Sequence, residues 1–417
     1  MTTKIQIRNF IALLASVGLL SILSVCVEAA PGDLDLAFGI GGKVTTQTGY
    51  NDKVSAVALQ SDGKIIVAGD YGLARYNSNG SLEQTFGYIA EKYTGVAVQP
   101  DGKIVTVGNY FNVLGCPTNQ VFVRRFNPDG TLDTSFGINA GFTVYFAGCY
   151  VDAYAYALVL SSDGKIVVAG AVESGTQYDF LALRLTSGGM FDTTFNLDGI
   201  GRFPIGSYND GAYAVAIQPT TGKIVLAGYS LGSFALVMLT SSGLYDWNFG
   251  NFGKLTTSFA VSSASARAVA FQADGKIITA GLVSTPTPTG VDFALVRYNR
   301  NGSLDTSFDG DGKVTTVFGG IYSDVAYGIS LQADGKIVAA GYGRSTTDTS
   351  DNFALARYNS NGSLDTSFSG DGKQTTDFGG YNDYGQAVAI QPDGKIVVAG
   401  YANNGSENDI ALARYLP

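Results

Sequence analysis

The 417-residue chain contains no histidine. Ser-His-Asp and Cys-His mechanisms, imidazole metal ligation and a histidine pH switch are therefore excluded. Charge is also scarce. Only 15% of residues are charged while 45% are hydrophobic, which excludes a disordered chain. There are only 10 prolines, and glycine does not recur at every third position, so collagen is excluded. Basic residues are outnumbered, 26 against 35 acids, giving a net charge of −9 and a pI near 4.6. Nucleic acid is not an expected partner, because phosphates demand a basic face. Sustained helical periodicity is missing after residue 30. What is abundant is glycine: 55 residues, about 13% against a usual ~7%.

Residues 1–29 read as a secretory signal peptide. Lys4 and Arg8 precede an apolar run from Phe10 to Val27, and Val27-Glu28-Ala29 supplies a cleavage site before Ala30. The run is also long enough to act as a retained anchor. No other stretch is apolar enough to span a membrane. The expected setting is secreted, periplasmic or cell-surface. Cleavage removes Cys26 and leaves Cys116 and Cys149. Two cysteines in an exported chain invite a disulfide; two free thiols are the alternative.

The remainder, residues 30–417, repeats. A turn, a lysine and an apolar run recur seven times, at Lys64, Lys103, Lys165, Lys223, Lys276, Lys336 and Lys395. The form is PDGKIVVAG at Lys395. A second motif ends in phenylalanine at Phe38, Phe86, Phe136, Phe195, Phe249, Phe308 and Phe368, with GSLDTSF as its fullest form. A period of 50–60 residues made of short strands indicates a propeller or another repeat array.

Each repeat reads as four strands. A short apolar strand, a DG turn and a second strand beginning at the lysine come first. A variable loop leads to a third strand such as Phe353–Tyr358, and Asn361-Gly362 marks the next hairpin. The LDTSF segment and a GKVTT strand finish the unit. Both faces of the third strand are apolar, as stacked blades require. The ends of the chain complement each other: LDLAFGIGGKVTT at the start is a fourth-strand unit, and Ile410–Tyr415 at the end is a third strand without its fourth. The expectation is an all-β, seven-bladed β-propeller of four-stranded antiparallel blades, closed by an N-terminal strand that completes the last blade. Blade 1 is degenerate, because FGYIAEKYTG replaces its GKVTT strand.

The DGKIVVAG, FALARYN-NGSLDTSF and GDGKVTT segments together resemble the delta-60 repeat family of exported bacterial proteins. The resemblance covers essentially all of residues 32–417. It implies a propeller-like fold and a surface or secreted setting, and it brings no catalytic motif. The PDGK strand pair also has a weaker likeness to lactonase-type and NHL-type propellers.

The DGK and NG turns fall at one end of the blades and the variable loops at the other, and variable loops mark a binding face. The loop end carries an acid 12 or 13 residues before the lysine: Asp52, Glu91, Asp152, Asp210, Asp324 and Asp383, with Ala264 in the fifth repeat. Five follow a tyrosine by two residues: Tyr50, Tyr150, Tyr208, Tyr322 and Tyr381. A carboxylate ring at a channel mouth would bind Ca²⁺ or a cationic ligand, with tyrosines stacking on sugars. Alternatively each Asp caps a corner of its own blade. Recurrence in nearly every blade favours the cap, so no catalytic, cofactor or metal residue is assigned. Third-strand arginines, such as Arg357, are expected to pair with the acids of LDTSF, such as Asp365. Trp247, in a degenerate LDTSF copy, is expected in the core.

The expected function is a non-catalytic binding or scaffold module, monomeric, presenting its variable-loop face to a protein or glycan partner. The alternative is a carboxylate- or metal-dependent hydrolase or lyase of the lactonase-like type, using acids at the channel mouth.

Overall fold

The turns explain why the strands fold back where they do. In the repeat at Lys336, the Gln332 N–H donates to the Lys336 carbonyl and the Gly335 N–H to the Gln332 carbonyl. Asp334 accepts from the Lys336 N–H, and Gly335 takes a φ of +86° that a side chain would resist. The NG turn uses the same device, with Asn361 accepting from Ser363.

A computed structural model describes residues 29–49, 51–86, 92–111, 117–138, 140–145, 147–259, 263–285, 290–319 and 322–417. It contains seven four-stranded antiparallel sheets. Blade 6 is typical, with strands Val325–Leu331, Ile337–Gly343, Asn352–Tyr358 and Lys373–Thr376. Blade 7 comprises Asp383–Ile390, Ile396–Asn403, Asn408–Tyr415 and the N-terminal strand Lys43–Thr46. Lys43 pairs with Ala413 and Thr46 with Ile410, so the two ends of the chain close the ring. In blade 1 the fourth strand is the Leu82–Phe86 segment itself, which in other blades forms a turn.

The hydrophobic core is divided into seven wedges, one at each blade interface. Ala354, Ala356 and Tyr358 pack towards blade 5. Phe353 and Leu355, on the opposite face of the same strand, pack towards blade 7. Period-2 alternation thus feeds two cores from one strand.

Polar clusters tie each wedge at the turn end. The Arg357 Nε–H donates to Asp365 at 2.8 Å, and Lys336 reaches the same carboxylate at 3.2 Å. The guanidinium also lies 4.6 Å from the Phe368 ring centroid. Equivalent clusters form at Arg125, Arg184, Arg297 and Arg414. Arg125, Arg184, Arg297 and Arg414 each also donate to a backbone carbonyl in the next blade, at Ser187, Ser241, Ser360 and Ser78. Burial alone would raise the Asp365 carboxyl. Ser367, Lys336 and Arg357 outweigh it and hold the group down at about 2.

Every first strand carries a bulge at one register. In blade 6 the pairing skips Tyr327, between Ala326↔Gly341 and Gly328↔Ala340. Gly341 lies opposite, and a Cβ there would sit 1.8 Å from the Val325 carbonyl oxygen. The glycine of each VAG segment therefore makes room for the bulge. The six counterparts, Gly69, Gly108, Gly170, Gly228, Gly281 and Gly400, face a first-strand carbonyl at 1.7–2.1 Å by the same construction.

Trp247 is not in the core. It is 74% exposed and meets Phe252 edge-on. It takes the position that Thr366 holds in blade 6, which points outward. Only the acid and the phenylalanine of this motif face inward.

Blade 4 replaces the hub arginine with Met238, leaving Lys223, at 2.6 Å, as the cation on Asp246, which also accepts from the Asn248 N–H. Arg357→Met should therefore be tolerated, costing about 1–2 kcal/mol, since Lys336 still neutralises Asp365. Asp365→Ala leaves a buried arginine unpaired and should cost about 3–5 kcal/mol. Denaturant unfolding of the two variants measures the order. Equal losses would refute the hub.

Candidate functional site: loop face and axis

The recurrent acids begin the first strands, where the chain turns inward from the preceding blade. Asp52, Asp210, Asp324 and Asp383 are at most 1% exposed. Asp383 accepts from the Phe378 N–H at 2.7 Å. Asp324 accepts from the Phe318 and Arg344 N–H groups. Asp210 accepts from Ile205 and Gly206, Asp52 from the Thr48 hydroxyl, and Asp152 from the Asn119 N–H. Asp52, Asp210, Asp324 and Asp383 are turned into their own corners, which is the capping geometry, whereas Asp152 reaches across to the third strand of blade 2. Glu91 and Tyr50 lie outside the described residues. Among the described residues no three His, Cys, Asp or Glu side chains are grouped as a metal site.

Burial changes the acidity of these caps. It pushes Asp383 up to about 7, against the Phe378 N–H and with repulsion from Asp377. It raises Asp324 to about 6, with Asp292 and Asp351 adding repulsion. Asp52 is raised by burial and, further, by Asp409 and Glu407. The Asp292 and Asp409 contributions went unread in the sequence, because both sit at third-strand starts, far from the acid they face.

The tyrosines behave oppositely. Tyr150, Tyr208, Tyr322 and Tyr381 are 82%, 57%, 39% and 54% exposed on the loop face. Tyr322 carries the Arg344 guanidinium 4.2 Å from its ring centroid. Tyr381 lies beside Gly405, where a Cβ would come within 2.9 Å of the ring. It borders a groove of about 490 Å³ between blades 6 and 7, with Thr349, Ser350, Asn382, Asn403 and Asn408. Cys149, also at this end, is disulfide-bonded. Its expected partner, Cys116, lies outside the described residues.

A second cavity, of about 290 Å³, lies on the axis. Three consecutive first-strand residues from every blade line it, and the first of each three is the bulged one. These seven are Ser55, Thr94, Tyr156, Tyr213, Arg267, Tyr327 and Gln386. No motif search finds them, because they differ in every blade but the three with tyrosine. The signal is a column: each stands nine residues before the DGK lysine, or ten in the fourth repeat.

Six segments match the model of a family described as "Domain of unknown function (DUF5122) beta-propeller": residues 60–86, 99–136, 161–195, 272–308, 332–368 and 391–417. The chain thus carries β-propeller repeats; the fourth, divergent copy is not among the matched segments. No curated protein matches the sequence. Among solved structures, Chaetomium thermophilum Sqt1 bound to the N-terminus of ribosomal protein L10 has 12% identity, a TM-score of 0.48, and 90% of this chain and 100% of its own covered. YCF48 bound to D1 peptide has 11%, 0.47, 95% and 100%. A Xanthomonas campestris gluconolactonase has 13%, 0.41, 94% and 98%. Likeness at this level says nothing of activity.

Two outcomes follow from this geometry. Folded Asp383 keeps its proton to about pH 7, whereas the unfolded chain releases it near 3.8. Between those values the folded state binds more protons, so this contribution to stability falls as pH rises. Asp383→Asn still accepts from Phe378 and does not titrate. Its melting temperature relative to wild type should rise between about pH 5 and about pH 8; a constant difference would contradict the raised acidity constant. Alkylation without reductant, read by mass spectrometry, should modify neither Cys116 nor Cys149. Modification of both would exclude the bridge, which stabilises by ~3 kcal/mol if unstrained.

Proposed function

We propose that this is an exported, non-catalytic binding module whose loop face engages a glycan. The observation that carries the reading is the groove between blades 6 and 7. One wall is the half-exposed Tyr381 ring, and the rest is Tyr384, Gly380 and hydroxyl and amide side chains. An aromatic face against the apolar side of a sugar, with amides and hydroxyls around its edge, is the chemistry that neutral sugars require. The Tyr381 ring lies close against the backbone at Gly405, where only a glycine leaves room for it. Asn403 and Asn408, both lining the groove, are held to each other at 3.0 Å.

The export signal at residues 1–29 and membership of the delta-60 repeat family belong to the same proposal. Both accord with a disulfide-bonded Cys149, since disulfides persist in oxidising compartments. The lactonase-like alternative has less support. It needs carboxylates presented to the axis, and the recurrent acids are occupied in their corners.

A panel of neutral oligosaccharides (glucans, mannans and chito-oligosaccharides) tests the reading by calorimetry. At least one should bind the wild type, and Tyr381→Ala should weaken it by about tenfold. No binding by any member, or binding unchanged in Tyr381→Ala, would remove the glycan reading and leave a protein partner for this face.

A further inference from the structure

The axial cavity has a chemistry that neither the repeat nor the loop-face groove accounts for. Among the described residues lining it, Arg267 is the single charged one. The guanidinium stacks on Tyr213 from blade 4, its Cζ 4.0 Å from the ring centroid, and lies 5.9 Å from that of Tyr327 in blade 6. Its Nε is buried without a hydrogen-bond partner, and no ion pair among the described residues involves it. The contrast with Arg125, Arg184, Arg357 and Arg414 is plain, since each of those donates through Nε to a carboxylate. The Nε is shut off from water without a partner while the side chain as a whole is half-buried at the cavity wall, so the guanidinium is open to an anion there.

The rest of the lining narrows the anion. Tyr156, Tyr213, Arg267 and Tyr327 form a continuous arc over four blades, with the Tyr156 and Tyr213 rings 5.0 Å apart. Burial raises the Tyr156 and Tyr327 phenols above their ordinary range, so both stay neutral donors at physiological pH. Across the axis, Gln386 and Ser55 supply an amide and a hydroxyl. Below the ring the lining is apolar, through Val57, Leu158, Val215 and Ile329. The volume of about 290 Å³ suits one ring rather than a polymer. A net charge of −9 repels polyanions, whereas a single carboxylate reaching the axis meets only Arg267.

We propose that the axial cavity binds a sugar acid: one carboxylate, held by Arg267, on a hydroxylated ring that stacks against the tyrosine arc and hydrogen-bonds to Gln386 and Ser55. The site is separate from the loop-face groove and does not depend on it. Arg267 sets the preference for acid over neutral sugar.

Calorimetry or NMR titration with D-glucuronate, D-glucose and N-acetyl-aspartate N-methylamide tests the assignment. Glucuronate should bind the wild type about ten- to hundredfold more tightly than glucose, the margin of a charge-assisted hydrogen bond. Arg267→Gln should erase that margin, and Arg267→Lys should keep part of it while leaving the melting temperature near wild type. Tyr381→Ala, which targets the loop-face groove, should leave glucuronate binding unchanged. Equal affinity for glucuronate and glucose, or no saturable glucuronate binding to the wild type, overturns the proposal. So does a preference for glucuronate that survives in Arg267→Gln. The aspartate derivative binding as tightly as glucuronate overturns the sugar assignment and points to an acidic peptide.

Discussion

One contact ties six of the seven blades together, the buried arginine at the end of the third strand. It joins three structures at once. Its Nε (Nη2 in blade 1) grips the acid of its own LDTSF-type segment, its plane lies by the phenylalanine of that segment, and in five blades its Nη1 reaches a carbonyl of the next blade. A lysine from the DGK turn shares the acid. A planar guanidinium can do all three because its donors form a fixed fork and its faces stay free to stack. The sequence motif of seven acids and seven phenylalanines is the imprint of this one arrangement. Blade 4 shows which part is dispensable: with Met238 in place of arginine, Asp246 and Lys223 still pair.

Closure uses the same contact across the greatest distance in the chain. Arg414, three residues from the C-terminus, bonds Asp35 near the start of the described chain, and its Nη1 donates to the Ser78 carbonyl of blade 1. Tyr415 bonds Thr376 and Tyr76 bonds Thr46, continuing an interblade link that Tyr298 makes with Thr257 and Tyr358 with Thr316. The terminal blade is therefore stapled by the same interactions as any other, with no special lock. That is why a fourth-strand unit at one end and a missing fourth strand at the other could be read as a single blade.

Much of this was legible in residues alone. Turn chemistry, the double apolar face of Phe353–Tyr358 and the Arg–acid pairing are local or periodic, and repetition multiplied each signal. The corner role of Asp210, Asp324 and Asp383 was legible for the same reason. What was not legible depends on contacts between separate hairpins or blades, or on direction. The lysine's share in the hub joins residues about thirty apart in different hairpins, as with Lys336 and Asp365. Asp292 faces Asp324 from another blade. Trp247 is exposed because its position in the turn points outward, a direction that hydrophobicity alone does not carry.

The axis shows how the fold separates structure from specificity. Each VAG glycine exists because a Cβ would strike the carbonyl of the first strand, and that clearance lets the strand bulge at the same register in all seven blades. The bulged residue makes no ladder pair and fills no wedge between blades. Its identity is therefore nearly free of the fold's demands, which explains why one column holds serine, threonine, tyrosine, arginine and glutamine while the next holds only alanine and glycine and the one after it only valine, leucine and isoleucine. A symmetric ring thus sets an asymmetric cup at its centre, with a cation and aromatics on one side and small polar groups on the other. Residues that repeat serve the blade. The column that is released from the repeat, at a place where seven chain segments converge, is where a ligand preference can be written without disturbing the frame.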